Sequence, residues 1–356
     1  MKLFEPWVMG KYTLSNRVVM APMTRNRADD EGVLPSYVAD YYGQRATAGL
    51  IITEGTQPSE GARGYRGTPG MHTDAQQEAW RAVGEAVHAR GGIVFCQLMH
   101  TGRIGHSSLL PEPWDLVAPS AVAADLLVAD ASGNEVPAET PRELSVHEIT
   151  AIVETYAAAA QRAIDAGLDG VELHAANGYL PHQFLSPLTN RRTDEYGGSP
   201  EGRARFVSEV LSAMADQIGA ERVGVRISPG GQFNDMRGQD DEETYRALVE
   251  SIDGLGLAYL HTLRRRSTPL HKELRRRWSS TFMLNTGYSG SSEMHDLEAI
   301  LTADEADLVS AGRWFISNPD LIERWKSGSE LTPWDEETFF TGGPRGLADY
   351  PTASTR

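Results

Sequence analysis

In VELHAANGYLPHQFL, residues 171–185, an apolar run releases His174, Asn177 and Tyr179 within six positions. An imidazole, a carboxamide and a phenol can each donate a hydrogen bond, and two of the three can also exchange protons. Taken singly, each is more often a core or loop hydrogen-bonder than a reactive group. What gives the trio weight is the company it keeps at the ends of other apolar runs.

Those ends are polar throughout. RVVMA at 17–21 leads into Pro22-Met23-Thr24-Arg25, GLIITE at 49–54 into Gly55-Thr56, and GIVFCQL at 92–98 carries Gln97 with His100 just beyond. RVGVRI at 222–227 delivers Arg226, TFMLN at 281–285 ends in Asn285 ahead of Gly287, and DLVSA at 307–311 precedes Gly312-Arg313. Glycine after the last two runs lets backbone approach an anion closely, and Arg313 adds a fixed positive charge, so these loops suit a phosphate. GLGLAY at 254 lacks a third glycine and no G-x-x-x-x-G-K-[ST] occurs, so no separate nucleotide domain is expected.

With DGVEL at 169–173 and AYLHT at 258–262 the runs number eight, and helix-like segments separate them. Thr73-Asp74-Ala75-Gln76 and Ser145-Val146-His147-Glu148 fit capping boxes, while Ser199-Pro200 and Asn318-Pro319 place proline at a first helical position. Near-continuous apolar strands imply cover on both faces, as in a parallel sheet. Eight strand–helix units predict a (β/α)8 TIM barrel over 1–356, with an open doubly wound sheet as the alternative. In a barrel, the C-terminal strand ends share one mouth, which would gather the polar residues named above. The proline-rich stretch 104–143, with a hairpin-like piece around DASGNE, reads as an excursion over the barrel, and 329–356 as a C-terminal extension.

Bulk composition narrows the function. At 356 residues, 40% hydrophobic and 23% charged, the chain has ordinary globular values and no apolar run long enough to cross a bilayer. A formal charge of −16 disfavours nucleic-acid and anionic-membrane partners. Cys96 is the single cysteine, and Glu5-Pro6 interrupts any leader-like start, so a cytoplasmic location is expected.

The motifs HAANGYL, APMTR, QLMHTGR, LSPLTNRRTDEYGGS, RISP and AGRWFISNPDL, followed by GGPRGLADYP, resemble the old yellow enzyme family in that family's order. The resemblance is nearest to its N-ethylmaleimide reductase and pentaerythritol tetranitrate reductase branch. It implies an FMN-dependent ene-reductase on a TIM barrel, taking NADPH or NADH as reductant. It implies small enones, nitroalkenes or nitrate esters as substrates, no metal, and a monomer or homodimer.

The resemblance also implies roles. Pro22, Met23 and Thr24 match the segment along the flavin ring, Gly55 and Gln97 its pyrimidine-edge contacts, and Arg226 the cation beside it. Asn285, Gly287, Gly312 and Arg313 match the phosphate site. His174 and Asn177 match a pair that donates to a substrate oxygen, and Tyr179 matches a proton donor, protonated at neutral pH because a phenol titrates near about 10. Tyr65 matches a pocket residue and Arg142 an entrance position. Met99 departs from the family's usual Trp in QLWHTGR, which would widen or soften the pocket wall.

Outside these motifs, LRRRSTPLHKELRRRW at 263–278 is basic in an acidic chain. It reads first as a solvated helix face; Arg264 to Arg266, directly after the sixth run, could also attract the 2′-phosphate of NADPH, which predicts a preference for NADPH over NADH that weakens as salt rises. Two other functions remain open from the residues: a non-catalytic FMN-binding protein, and a metal-dependent barrel hydrolase using His72, His100, His106, His174 or His182. The second lacks metal-ligand spacing.

Overall fold

The structure is a computed structural model and describes residues 1–237, 242–264, 269–287 and 292–353. The eight expected runs form the eight strands of a closed parallel barrel. They are β1 (Val18–Met20), β2 (Leu50–Ile52), β3 (Val94–Leu98), β4 (Gly170–Ala175), β5 (Val223–Ile227), β6 (Tyr259–Leu263), β7 (Thr281–Asn285) and β8 (Leu308–Ala311). Each pairs with its sequence neighbours, and β8 closes on β1 with Val309 opposite Val18. The open doubly wound alternative is thereby overturned.

Strand residues alternate between two apolar environments. One set packs outward against the helices; the other, including Val19, Leu50, Phe95, Tyr259 and Met283, fills the barrel interior. Glycines in β4 and β5 make room for the interior rings. A Cβ on Gly170 would stand 2.6 Å from the Phe95 ring, and one on Gly224 would stand 2.3 Å from the Tyr259 ring. An N-terminal hairpin, Trp7–Met9 with Tyr12–Leu14, adds Met9 and Leu14 to that interior cluster and plugs it. Short strands with no long periodicity gave no advance sign of this hairpin.

Both capping boxes form: Thr73 with Gln76 opens the helix Asp74–His88, and Ser145 with Glu148 opens Val146–Asp165. Ser199 caps Pro200–Ile218 as expected. Asn318-Pro319 does not open a helix. The helix Leu321–Ser327 starts later, while Asn318 closes the preceding turn: its Nδ2 donates to Trp314 O at 3.1 Å and its Oδ1 accepts from Thr332 N at 2.7 Å. In the excursion, Leu127–Ala129 and Glu135–Pro137 pair as the hairpin anticipated around DASGNE.

Candidate active site

The strand ends surround a cavity of about 440 Å³. Its wall includes Pro22, Met23 and Thr24 after β1, Tyr65 from the β2 loop, Gln97 of β3, His174, Asn177 and Tyr179 at β4, and Arg226 of β5. Asn285, Gly287, Gly312 and Arg313 from β7 and β8 line it too.

The β4 loop explains how three polar side chains emerge together. Asn177 takes a left-handed backbone (φ 58°), which asparagine tolerates better than most residues, and Gly178 follows at φ 78°. Asn177 N donates to Ser228 Oγ at 2.8 Å, and Asn234 Nδ2 donates to Asn177 O at 2.9 Å. His182, one turn on, accepts from Gly178 N at 2.9 Å through Nδ1, and its Nε2 lies 3.0 Å from the Tyr245 hydroxyl. Burial, reinforced by Arg103, holds the His182 imidazole down at about 3, so it stays neutral and Nδ1 stays an acceptor.

The loop thus presents a tight group. His174 Nε2 lies 3.5 Å from Asn177 Nδ2, and the His174 and Tyr179 rings meet edge to face at 4.9 Å. The Tyr179 and Tyr65 hydroxyls are 3.2 Å apart. Burial first, then the Arg226 guanidinium, keeps His174 well below the ordinary imidazole range and hence neutral. His174 Nδ1, Asn177 Oδ1 and Arg226 Nε are buried polar atoms that no protein group satisfies among the described residues. Such atoms are rare in folded proteins and are expected where a ligand completes them.

Three anticipated members stand outside the wall. Gly55 backs onto Met99, whose sulfur would lie 2.6 Å from an added Cβ; close packing is what requires glycine there. Met99 is buried against Ile104, Ala124 and Tyr179, so it supports the tyrosine from behind and does not face the cavity. Arg142 is on the surface, its guanidinium 2.7 Å from Glu148 Oε1 and 3.5 Å from Asp115, where it braces a helix cap instead of an entrance.

The wall also holds residues the motifs did not single out: Asn26, Phe233, Ser292, Ile316, Phe339 and Phe340. The two C-terminal phenylalanines are brought there by arginines following β1. Arg25 donates to Phe339 O at 3.1 Å and Gly346 O at 2.7 Å, and Arg27 donates to Thr338 O and Gly343 O, each at 2.7 Å. Glu54 supports the same loop from below, accepting from Arg25 N at 3.0 Å.

Within the basic segment, Arg264, Lys272, Arg275 and Arg277 are paired with acids. Arg264 Nη2 lies 3.2 Å from Glu305 and Lys272 lies 3.1 Å from it, while Arg275 pairs with Asp307 and Arg277 with Glu273. Arg265 and Arg266 lie outside the described residues. Among the described residues no three His, Cys, Asp or Glu side chains converge as a metal site. His100 Nδ1 accepts from Gly102 N at 3.1 Å, and His106 caps Ser108. No helix among the described residues is long and apolar enough to cross a membrane.

Comparison with known proteins agrees with this geometry. Residues 2–332 match the model of the NADH:flavin oxidoreductase / NADH oxidase family. The chain is 42% identical to 12-oxophytodienoate reductase 7 of Oryza sativa subsp. japonica, over 98% of this chain and 94% of that one. Morphinone reductase in complex with tetrahydroNAD superposes with a TM-score of 0.93 at 44% identity, covering 99% of this chain and 98% of that one. The old yellow enzyme homologue from Zymomonas mobilis gives a TM-score of 0.93 at 38% identity, covering 99% of both chains. A barrel whose strand ends supply these residues, matched along nearly its whole length, is an oxidoreductase and belongs to the NADH:flavin oxidoreductase / NADH oxidase family, the old yellow enzyme family its motifs resemble.

Proposed function

We propose that this protein reduces activated C=C bonds of α,β-unsaturated carbonyls or nitroalkenes, and also nitrate esters, using FMN and NAD(P)H. The observation that carries this reading is the His174–Asn177 pair, two buried nitrogen-bearing side chains 3.5 Å apart in a cavity wall, each with a further atom that no protein group satisfies among the described residues. Relatives named for the reduction of 12-oxophytodienoate and morphinone support the substrate class.

The residues present fit FMN. Pro22 to Thr24 offer a flat flank, Gln97 and Arg226 offer polar groups toward a ring edge, and the Arg226 Nε has no protein acceptor among the described residues. Asn285, Gly287, Gly312 and Arg313 offer backbone and charge for a phosphate. A guanidinium beside a reducible ring stabilises its reduced, more negative form. Bound there, FMN would supply hydride to the β carbon of the alkene.

The chain's own groups do the rest. His174 and Asn177 hold the substrate oxygen, on which negative charge grows as hydride arrives, and a preorganised donor in such a site contributes about 2.7–4 kcal/mol. Tyr179 delivers its proton to the α carbon, and the Tyr65 hydroxyl at 3.2 Å holds that phenol in place. With nicotinamide and alkene both entering the strand-end cavity and no separate nucleotide-binding motif in the sequence, the two take turns, giving ping-pong kinetics; tetrahydroNAD bound to the morphinone reductase relative supports this.

The test is spectroscopic. Purified protein should be yellow, bleach on anaerobic addition of NADPH, and regain colour in a single turnover with enones, nitroalkenes or nitrate esters. Colour that persists under NADPH would make the protein a flavin binder, not a reductase.

A further inference from the structure

Behind the cavity wall, side chains from five strands form one run of hydrogen bonds through the barrel interior. Gln97 Nε2 donates to Glu172 Oε1 at 2.8 Å, and Glu172 Oε2 lies 2.9 Å from His261 Nδ1. His261 Nε2 is 2.9 Å from Ser310 Oγ, which accepts from Asn285 Nδ2 at 2.8 Å. Asn285 Oδ1 then accepts from Gly287 N at 2.9 Å. Glu172, His261 and Ser310 are fully buried, whereas Gln97, Asn285 and Gly287 line the cavity. The run therefore touches the cavity at both ends and is fully buried in between.

A buried carboxylate is costly, and replacing a buried ionic group by apolar residues is often neutral or stabilising, so its presence calls for a task. The task is directional. A carboxamide has one donor end and one acceptor end, and a carboxylate takes only the donor. Glu172 thus draws the Gln97 NH2 inward, leaving Oε1 for the cavity side, where no protein donor reaches it among the described residues. Reversing that amide would set two oxygens against each other.

We propose that Glu172 is a positioning residue. It fixes the Gln97 carboxamide so that the wall presents a hydrogen-bond acceptor to a ligand N–H, and through His261, Ser310 and Asn285 it steadies the Gly287 turn. The proposal rests on the FMN reading above, in which the N–H is that of the ring's imide.

A double-mutant cycle on FMN affinity tests it. Glu172→Gln and Gln97→Ala each weaken FMN binding by roughly tenfold, the scale of one buried hydrogen bond. Their combination weakens it by no more than about twofold beyond either single change, because one acts through the other. The imide N–H bending band of bound FMN, read by Raman spectroscopy, shifts equally in the two single variants. Losses that multiply, or a Glu172→Gln protein that binds FMN like wild type, overturn the role. Glu172→Asp, which keeps the charge but withdraws both oxygens, must show the same non-additivity and serves where the Gln variant is not recovered folded. A wild-type protein that takes up no FMN overturns the functional reading itself. A wild type that binds FMN while the losses multiply overturns only Glu172.

Discussion

His174 Nε2 and Asn177 Nδ2 stand 3.5 Å apart in the cavity wall, with His174 Nδ1 and Asn177 Oδ1 buried and unsatisfied among the described residues. That separation is long for a bond between them but short enough for both nitrogens to reach one ligand oxygen. Each of His174→Ala and Asn177→Ala should therefore slow alkene reduction by about 10²–10³-fold. Stopped-flow measurement of the two half-reactions decides the matter: equal slowing of flavin reduction by NADPH contradicts the role.

Tyr179 makes a separable prediction. A general acid contributes roughly 10²–10⁴-fold where a proton moves in the slow step. Tyr179→Phe keeps the ring that meets His174 at 4.9 Å while removing the hydroxyl. Enone turnover should fall toward that range, whereas cleavage of a nitrate ester, which protonates no α carbon, should change little. Equal losses on both substrates would show that the phenol shapes the pocket and does not supply a proton.

The barrel was legible in the sequence because each strand is short, apolar and followed by a polar group, a pattern that period and turn chemistry expose. The cavity wall was legible wherever a residue sits directly at a strand end, as with Gln97, Arg226 and His174. It failed where placement depends on packing across distant segments. Phe339 and Phe340 reach the wall only because Arg25 and Arg27, over 300 residues earlier, collect the carbonyls around them. Arg142 sat in a matching motif, yet the nearby Glu148 and Asp115 hold it elsewhere. Glu172 read as part of an apolar run, and nothing local marks a carboxylate whose partners lie on β3 and β6.

The arginine clasp on the tail is itself testable. Removing Arg25 leaves the Gly346 carbonyl short of a donor, at a cost of about 1–3 kcal/mol, and leaves the Phe339 carbonyl with only Arg27 Nη1 at 3.4 Å. Arg25→Ala should lower the melting temperature. It should also raise KM for bulky apolar substrates more than it lowers kcat, because the phenylalanine wall loosens while the β4 trio is untouched. A variant with wild-type KM and stability would remove the tail from the pocket.

Arg264 bears on reductant choice. Its charge is already shared with Glu305 at 3.2 Å in a partly exposed pair, and such pairs contribute about 0–1 kcal/mol. We expect Arg264→Ala to change the ratio of kcat/KM for NADPH over NADH by less than about fivefold. A larger drop that vanishes with added salt would restore Arg264 as the anchor of a 2′-phosphate.

Acid should destabilise the protein earlier than its carboxylates alone would dictate. Burial holds His100 and His182 down at about 3, and His174 well below its ordinary range. In the unfolded chain each titrates near about 6.5. Below that pH the unfolded state takes up protons the native state refuses, so this stability is fully present above about 6.5 and is lost as pH falls toward about 3. Each histidine contributes up to about 1.4 kcal/mol per pH unit in that window. Glu148 and Glu273, held down to about 2 by Arg142 and Arg246 respectively, add their losses only below the usual carboxylate range. The urea midpoint should therefore drop between about pH 6.5 and about pH 5, where the several depressed histidines outweigh buried Glu54, whose carboxyl is pushed up by burial and acts in the opposite sense. His100→Asn retains an acceptor for the Gly102 N–H but cannot titrate, so it should flatten that slope by roughly one proton's worth. A midpoint independent of pH across this range would mean that the imidazoles are not held neutral in the fold.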